Sequence, residues 1–258
     1  MTTGVVDQYT AWCDATGKRA SSTYIRTRYL RRLETHVDLL TAGEEDLVAW
    51  MGAHRWAPET RRSVRSALLC FYTWAVVHQL RADNPVVNLP AVRVPPPCPR
   101  PASDSAVRNA RIRATASQRL MIDLAALAGL RRAEIAGVCR EDLDGDLLRV
   151  TGKGGRTRVI PIPATLAGQL LDCPAGPIFP GRFGVCVHPD HVGRTVSRLL
   201  GPGLTAHSLR HRFATRAYDG THDILALQEL LGHSSPETTR RYVRVSMDAL
   251  RATAAAAG

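Results

Sequence analysis

The chain has 258 residues, 45% of them hydrophobic, and a formal net charge of +11, so it can bury one large core or two modest ones. No apolar run approaches the ~20 residues of a membrane span and the first residues lack a signal-peptide layout, so a cytoplasmic protein with no membrane partner is expected. Cys13, Cys70, Cys98, Cys139, Cys173 and Cys186 are dispersed, with no pair at CxxC spacing, which argues against both a disulfide framework and a zinc site.

The excess positive charge points to a polyanionic partner, nucleic acid above all. Of the 34 Lys plus Arg residues only Lys18 and Lys153 are lysine. Against that bias each lysine stands out. His188 and His191 in VHPDH have no companion ligands, so no metal is expected there.

The first ninety residues read as helices. They are expected at 5–16; from Ser21 or Ser22 along an apolar stripe of Ile25, Tyr29, Leu33, Val37 and Leu40; at 44–54, with carboxylates at its start; and from Pro58 to about Leu80, with Val64, Leu68, Phe71 and Ala75 inward. Arg28, Arg31 and Arg32 on the second helix, and Arg61, Arg62 and Arg65 on the fourth, fall mostly off the stripes. Two such rows form a candidate DNA-facing side, the other reading being the solvated surface of an ordinary bundle.

Asn84-Pro85 stops the fourth helix, and VRVPPPCPRPAS is proline-dense and extended. Three segments follow: a helical domain 1–91, a linker 92–102 and a second domain 103–258. In the second domain helices are expected at 103–114 and 117–128, followed by GLRRAEI. Two strands, 146–151 and 157–162, flank the GKGG turn as a hairpin; a GxxxxGK[ST] phosphate loop is absent. Helices at 163–173, 188–199, 206–218 and 223–231 come next, then a short one from Ser235 or Pro236 that carries Tyr242. The fold class expected is mainly α with a small antiparallel β region, an α+β domain preceded by a four-helix bundle.

The stretch from His207 to Tyr242 holds the groups that phosphoryl chemistry on a nucleic acid requires. Histidine moves protons near neutral pH, arginine stays charged and forks onto phosphate oxygens, and tyrosine can attack covalently. Three pieces stand in order: His207-Ser-Leu-Arg210-His211, Leu231-Gly232-His233-Ser234-Ser235 and Thr238-Thr239-Arg240-Arg241-Tyr242. Together they resemble the C-terminal signature of the tyrosine recombinases, the phage integrase family. GLRRAEI resembles that family's first arginine box, VTGKGGRTRVIPI its lysine-bearing hairpin, and the helix, NP stop and linker the end of its core-binding domain.

The resemblance implies a site-specific DNA recombinase acting through a 3′-phosphotyrosyl intermediate and a Holliday junction. Tyr242 is the implied nucleophile and His207 its base. Arg131 and Arg210 grip the non-bridging oxygens, His233 adds a hydrogen bond there, and Lys153 protonates the leaving 5′-oxygen, a role for which arginine has no transferable proton. Arg132 is the alternative to Arg131, His211 reads as structural, and Tyr218 follows the HxxRH box too closely to match the family's nucleophile. No metal or cofactor is implied. The partner is double-stranded DNA at core-type attachment sites, bound by a homotetramer that can be monomeric in solution.

The length before the four helices points to the short form of the family, without an arm-binding domain, and to a phage or mobile-element integrase. The alternatives are a chromosome-dimer-type resolvase, a type IB topoisomerase-like relaxing enzyme and an inactive DNA-binding protein. The tail after Tyr242 is expected to pack on a neighbouring protomer; its Ala-rich end reads as a frayed terminus or a protease tag.

Overall fold

Helical periodicity in the first ninety residues resolves into α1 (Val5–Ala15), α2 (Ala20–Glu34), α3 (Glu44–Gly52) and α4 (Pro58–Val77). The computed structural model describes residues 4–95, 100–152 and 154–232, and the chain divides into two compact units, Met1–Pro97 and Cys98–Gly258. Part of the linker, the hairpin's Lys153 and everything from His233 onward, with Tyr242 and the tail, therefore lie outside the described residues.

Pro58 opens α4, where its missing N–H costs nothing. Val64, Leu68, Phe71 and Ala75 are all fully buried on that helix. They pack with Leu30, Leu33 and Leu47. Tyr9 of α1 closes the core, its ring edge-on to Phe71 at 5.5 Å and tilted against Trp74 at 5.2 Å.

The stripe of α2 differs from the expected one. Ile25 is 44% exposed, while Thr23, Thr27, Leu30 and Leu33 face inward. The helix ends at Glu34, so Val37 and Leu40 cannot extend its stripe. Thr27 tolerates burial because its hydroxyl donates to the Thr23 carbonyl at 3.0 Å; a pattern that counts only apolar residues misses it.

The arginine rows also separate. Arg65 donates from Nε and Nη2 to the Leu89 carbonyl at 3.0 and 2.5 Å. Arg61 reaches the His54 carbonyl at 3.4 Å, and Arg31 pairs with Asp7 at 2.9 Å. The guanidiniums of Arg28 and Arg32 lie 5.4 and 5.9 Å from the rings of Tyr29 and Trp56. Arg28, Arg31, Arg32 and Arg62 are exposed, whereas Arg61 and Arg65 are half-buried.

In the second unit α5 (Asp104–Arg113) and α6 (Ala116–Leu127) begin at side-chain caps. Ser103 Oγ accepts from the Ala106 N–H, and Thr115 and Gln118 form a capping box. Every residue of α6 from Leu120 to Ala126 is buried. A helix buried on all sides belongs at the centre of a domain, its one buried carboxylate, Asp123, paired with Arg111 at 3.1 Å, and α5, α8 (Ala164–Leu171), α9 (Pro189–Leu200) and α10 (Ala206–Thr221) surround it.

One side of this core is a three-stranded antiparallel sheet of β1 (Leu143–Asp144), β2 (Leu147–Thr151) and β3 (Thr157–Pro161), in that order. Leu148 pairs with Ile160 and Val150 with Arg158. Leu148, Val150 and Ile160 point into the core while their neighbours along the strands face outward, the alternation that a half-buried strand imposes. The unit thus has the expected mixture of helices and a small antiparallel sheet.

Three elements have no counterpart in the sequence reading, one of them a single 3-10 turn at Arg140–Asp142. The strand β1 is two residues long, too short to show alternation, and α7 (Arg132–Ala136) is a five-residue helix. The last described helix, α11 (Ile224–Leu231), is capped by Asp223, whose carboxylate accepts from Leu225 and Ala226 at 2.9 Å. No helix among the described residues is long and apolar enough to cross a membrane.

Candidate active site

The site begins at a turn. Gly129 has φ +65°, and a β-carbon there would come within 2.4 Å of the Phe213 ring. Glycine is the residue that meets both demands. The turn directs the Gly129 carbonyl at Arg210, whose Nη1 donates to it at 2.5 Å.

Arg131 follows as the N-cap of α7, and Glu134, three residues on, folds back to accept from its backbone N–H at 2.8 Å. The same carboxylate accepts from Arg131 Nη1 at 2.8 Å and from Arg158 Nη1 and Nη2 at 2.9 and 3.0 Å. Arg210 Nη1 stands 3.8 Å away. Glu134 is buried, and burial by itself pushes its carboxyl up. The Arg158 hydrogen bonds, the Arg131 N–H and the two guanidinium charges outweigh that and hold it below the usual carboxylate range.

The same three arginines finish α11. Arg158 Nε donates to the Leu230 carbonyl at 2.9 Å, Arg210 Nη2 to Leu231 at 2.6 Å and Arg131 Nη2 to Gly232 at 3.3 Å. The last carbonyls of a helix have no partner inside it and carry the negative end of its dipole. Three guanidiniums from a loop, a strand and another helix satisfy three of them in succession.

His207 lies in the first turn of α10, which Thr205 caps by accepting from the His207 N–H at 3.2 Å. Its side chain is exposed, and its ring centroid is 4.1 Å from that of the buried His211. A cleft of about 810 Å³ is lined by Leu130, Arg131, Arg132, Thr205, His207 and Arg210, among others. Arg132 pairs with Asp190 of α9 at 3.1 Å. The cleft thus brings together Arg131, Arg132, Arg194 and Arg210, an imidazole and a helix N-terminus, a combination suited to a phosphate.

Of the residues expected to act together, Arg131, His207 and Arg210 meet at this cleft; Lys153, His233 and Tyr242 lie outside the described residues. The sequence reading missed Glu134 and Arg158. Glu134 was within reach, since it completes a capping box three residues after Arg131. His188 caps α9, accepting from the Asp190 N–H at 3.2 Å, and no group of three His, Cys, Asp or Glu among the described residues is placed to hold a metal.

Residues 105–249 match the phage integrase family, more than half of the chain. The chain belongs to that family, the tyrosine recombinases. A tyrosine recombinase XerC from Methylobacterium nodulans is 35% identical over 238 residues, covering 80% of this chain and 74% of the relative. Among solved structures, an integrase from mycobacterium phage Brujita is 29% identical, with a TM-score of 0.51 over 96% of this chain and 90% of its own. A lambda integrase dimer bound to a COC' core site shares the fold at TM-score 0.75, with 19% identity over 91% of this chain and 95% of its own. As a tyrosine recombinase, the chain is a site-specific DNA recombinase that breaks and rejoins strands by transesterification.

Proposed function

We propose that Tyr242 attacks a scissile phosphate in double-stranded DNA, giving a 3′-phosphotyrosyl link and a free 5′-hydroxyl, and that a partner strand's 5′-hydroxyl then displaces the tyrosine. One bond to phosphorus forms and one breaks at each step, so no nucleotide is consumed. A phenol with pKa ~10 is about one part in a thousand ionised at pH 7. His207, exposed at the start of α10, takes its proton.

Arg131 and Arg210 stabilise the charge that builds on the non-bridging oxygens, with His233 as a further donor. Lys153 protonates the departing 5′-oxygen. The observation that carries this reading is the convergence of Arg131, His207 and Arg210 on one cleft within the segment that matches the family.

Residues 1–91 serve as a core-type DNA-binding domain, 92–102 as a linker and 103–258 as the catalytic domain. The active species is a homotetramer on two core-type sites, exchanging strands through a Holliday junction, and the role is that of a phage or mobile-element integrase. The likeness to the phage Brujita integrase favours that role. The XerC relatives favour a second reading, a chromosome-dimer-type resolvase.

A duplex nicked beside the cleavage site tests the chemistry by trapping the covalent adduct. Adduct formation that is lost in Tyr242→Phe is expected; adduct retained in Tyr242→Phe refutes the assignment, and no adduct with either protein leaves a DNA-binding protein. Recovery of exchanged strands from two duplexes separates recombination from simple relaxation. An attachment site adjoining the gene selects the integrase over the resolvase.

A further inference from the structure

We propose that Arg158 is a positioning residue for strand cleavage: it fixes Arg131, Arg210 and the end of α11 without itself touching DNA. The inference rests on the reading of Arg131 and Arg210 as the phosphate clamp. Like Arg210, whose side chain is 1% exposed, Arg158 is largely buried, at 14%, and it donates to Glu134 and the Leu230 carbonyl; unlike Arg131 and Arg210, it is absent from the lining of the cleft.

A carboxylate offers about four acceptor positions. Arg131 fills two of those on Glu134, through its backbone N–H and Nη1, and Arg158 fills the other two. Arg210 Nη1, at 3.8 Å, is near enough to feel the charge and too far to hydrogen-bond. Without Arg158 two acceptor positions open beside it. Arg210 is then drawn onto Glu134, away from the phosphate it is needed for, and Arg131 loses the fixed carboxylate that orients it.

The fit around the guanidinium points the same way. A β-carbon on Gly232, at φ +60°, would lie 3.0 to 3.2 Å from Arg158 Nη1, Cδ and Cζ, and one on Gly152 would lie 3.7 Å from Nη1. Gly152 and Gly232 immediately precede Lys153 and His233 in the chain. One planar group, donating to a carboxylate and a carbonyl at once, therefore seats the backbone next to two further candidate residues. Lysine, a point charge without the fork, cannot make all three contacts.

The test is single-turnover cleavage of the nicked duplex by the full chain carrying Arg158→Gln or Arg158→Lys. A second substrate has a methylphosphonate at the scissile position, where a methyl group replaces one non-bridging oxygen and removes the charge. With ordinary phosphate, Arg158→Gln is expected to cleave about 100-fold more slowly, the scale of a displaced catalytic group. Arg158→Lys should fall between it and wild type, and DNA affinity should stay within about twofold.

On methylphosphonate the deficit of Arg158→Gln should shrink to less than about tenfold, because there is little charge left for the clamp to stabilise. A merely structural role lowers cleavage of both substrates by the same factor, and that result overturns the proposal, as does wild-type cleavage by Arg158→Gln. If Arg158→Gln fails to fold, the comparison is made with Arg158→Lys, where a common factor or an unchanged rate is again fatal. Failure of wild type to form a Tyr242-dependent adduct overturns the functional reading instead.

Discussion

Replacing Glu134 with glutamine keeps the shape of the side chain and removes its charge. Four hydrogen bonds of 2.8 to 3.0 Å end on this carboxylate, which is 3% exposed. An amide has one acceptor oxygen, and its NH2 group would face N–H donors from Arg131 or Arg158. Removing one partner of a buried charge network costs about 3–5 kcal/mol, a large part of the ~5–15 kcal/mol that keeps a typical domain folded.

The pH dependence has a definite sign. Glu134 has its carboxyl held below the usual range in the folded chain. Its contribution is therefore complete above the unfolded value of ~4.3 and is lost as pH falls from there through the folded value. Glu134→Gln removes that contribution and makes the acid-side loss of stability shallower.

The tryptophans provide a clean assay. All four, Trp12, Trp50, Trp56 and Trp74, belong to the first unit, so their emission follows that unit while far-ultraviolet circular dichroism follows both. In denaturant, Glu134→Gln should shift the dichroism transition that emission does not report. A shift below about 0.5 kcal/mol, the range of a neutral surface change, or an acid limb identical to wild type, would refute the reasoning.

Arg65→Ala removes two hydrogen bonds to the Leu89 carbonyl and should destabilise the first unit by about 1–2 kcal/mol, read from tryptophan emission. Arg62, exposed on α4, is a better candidate for a phosphate contact: if it makes one, Arg62→Ala lowers the slope of log affinity against log salt by about 0.9, and an unchanged slope removes it from the interface. Gly129→Ala forces a side chain into a left-handed conformation and against the Phe213 ring. It should cost about 1–3 kcal/mol and reduce adduct yield by displacing the carbonyl that holds Arg210; wild-type stability and yield would count against that view of the turn.

Much of the architecture was legible in the residues themselves, where the cause is local. Pro58 and the spacing of Val64, Leu68, Phe71 and Ala75 define α4; Ser103 and Asp223 mark helix starts; and β-branched residues around GKGG mark the hairpin. These signals act within a turn of helix or a pair of strands, so one chain suffices to show them. The motifs around Arg131, His207 and Arg210 were equally readable, because residue type and short spacing carry their chemistry.

What only the tertiary structure decided is the work of the remaining polar groups. Arg158 reads in sequence as one more basic residue of an arginine-rich chain, yet it bonds to Glu134, 24 positions away, and to Leu230, 72 positions away. Arg65 reads as one of a row of basic residues on α4, and only the structure shows it donating twice to the Leu89 carbonyl, while Thr27 takes the inward place that the apolar pattern assigned to Ile25. Hydrogen bonds across such separations leave no period in the sequence. A guanidinium is suited to phosphate, carboxylate or carbonyl alike, and which of them it meets is set by the packing that brings distant segments together.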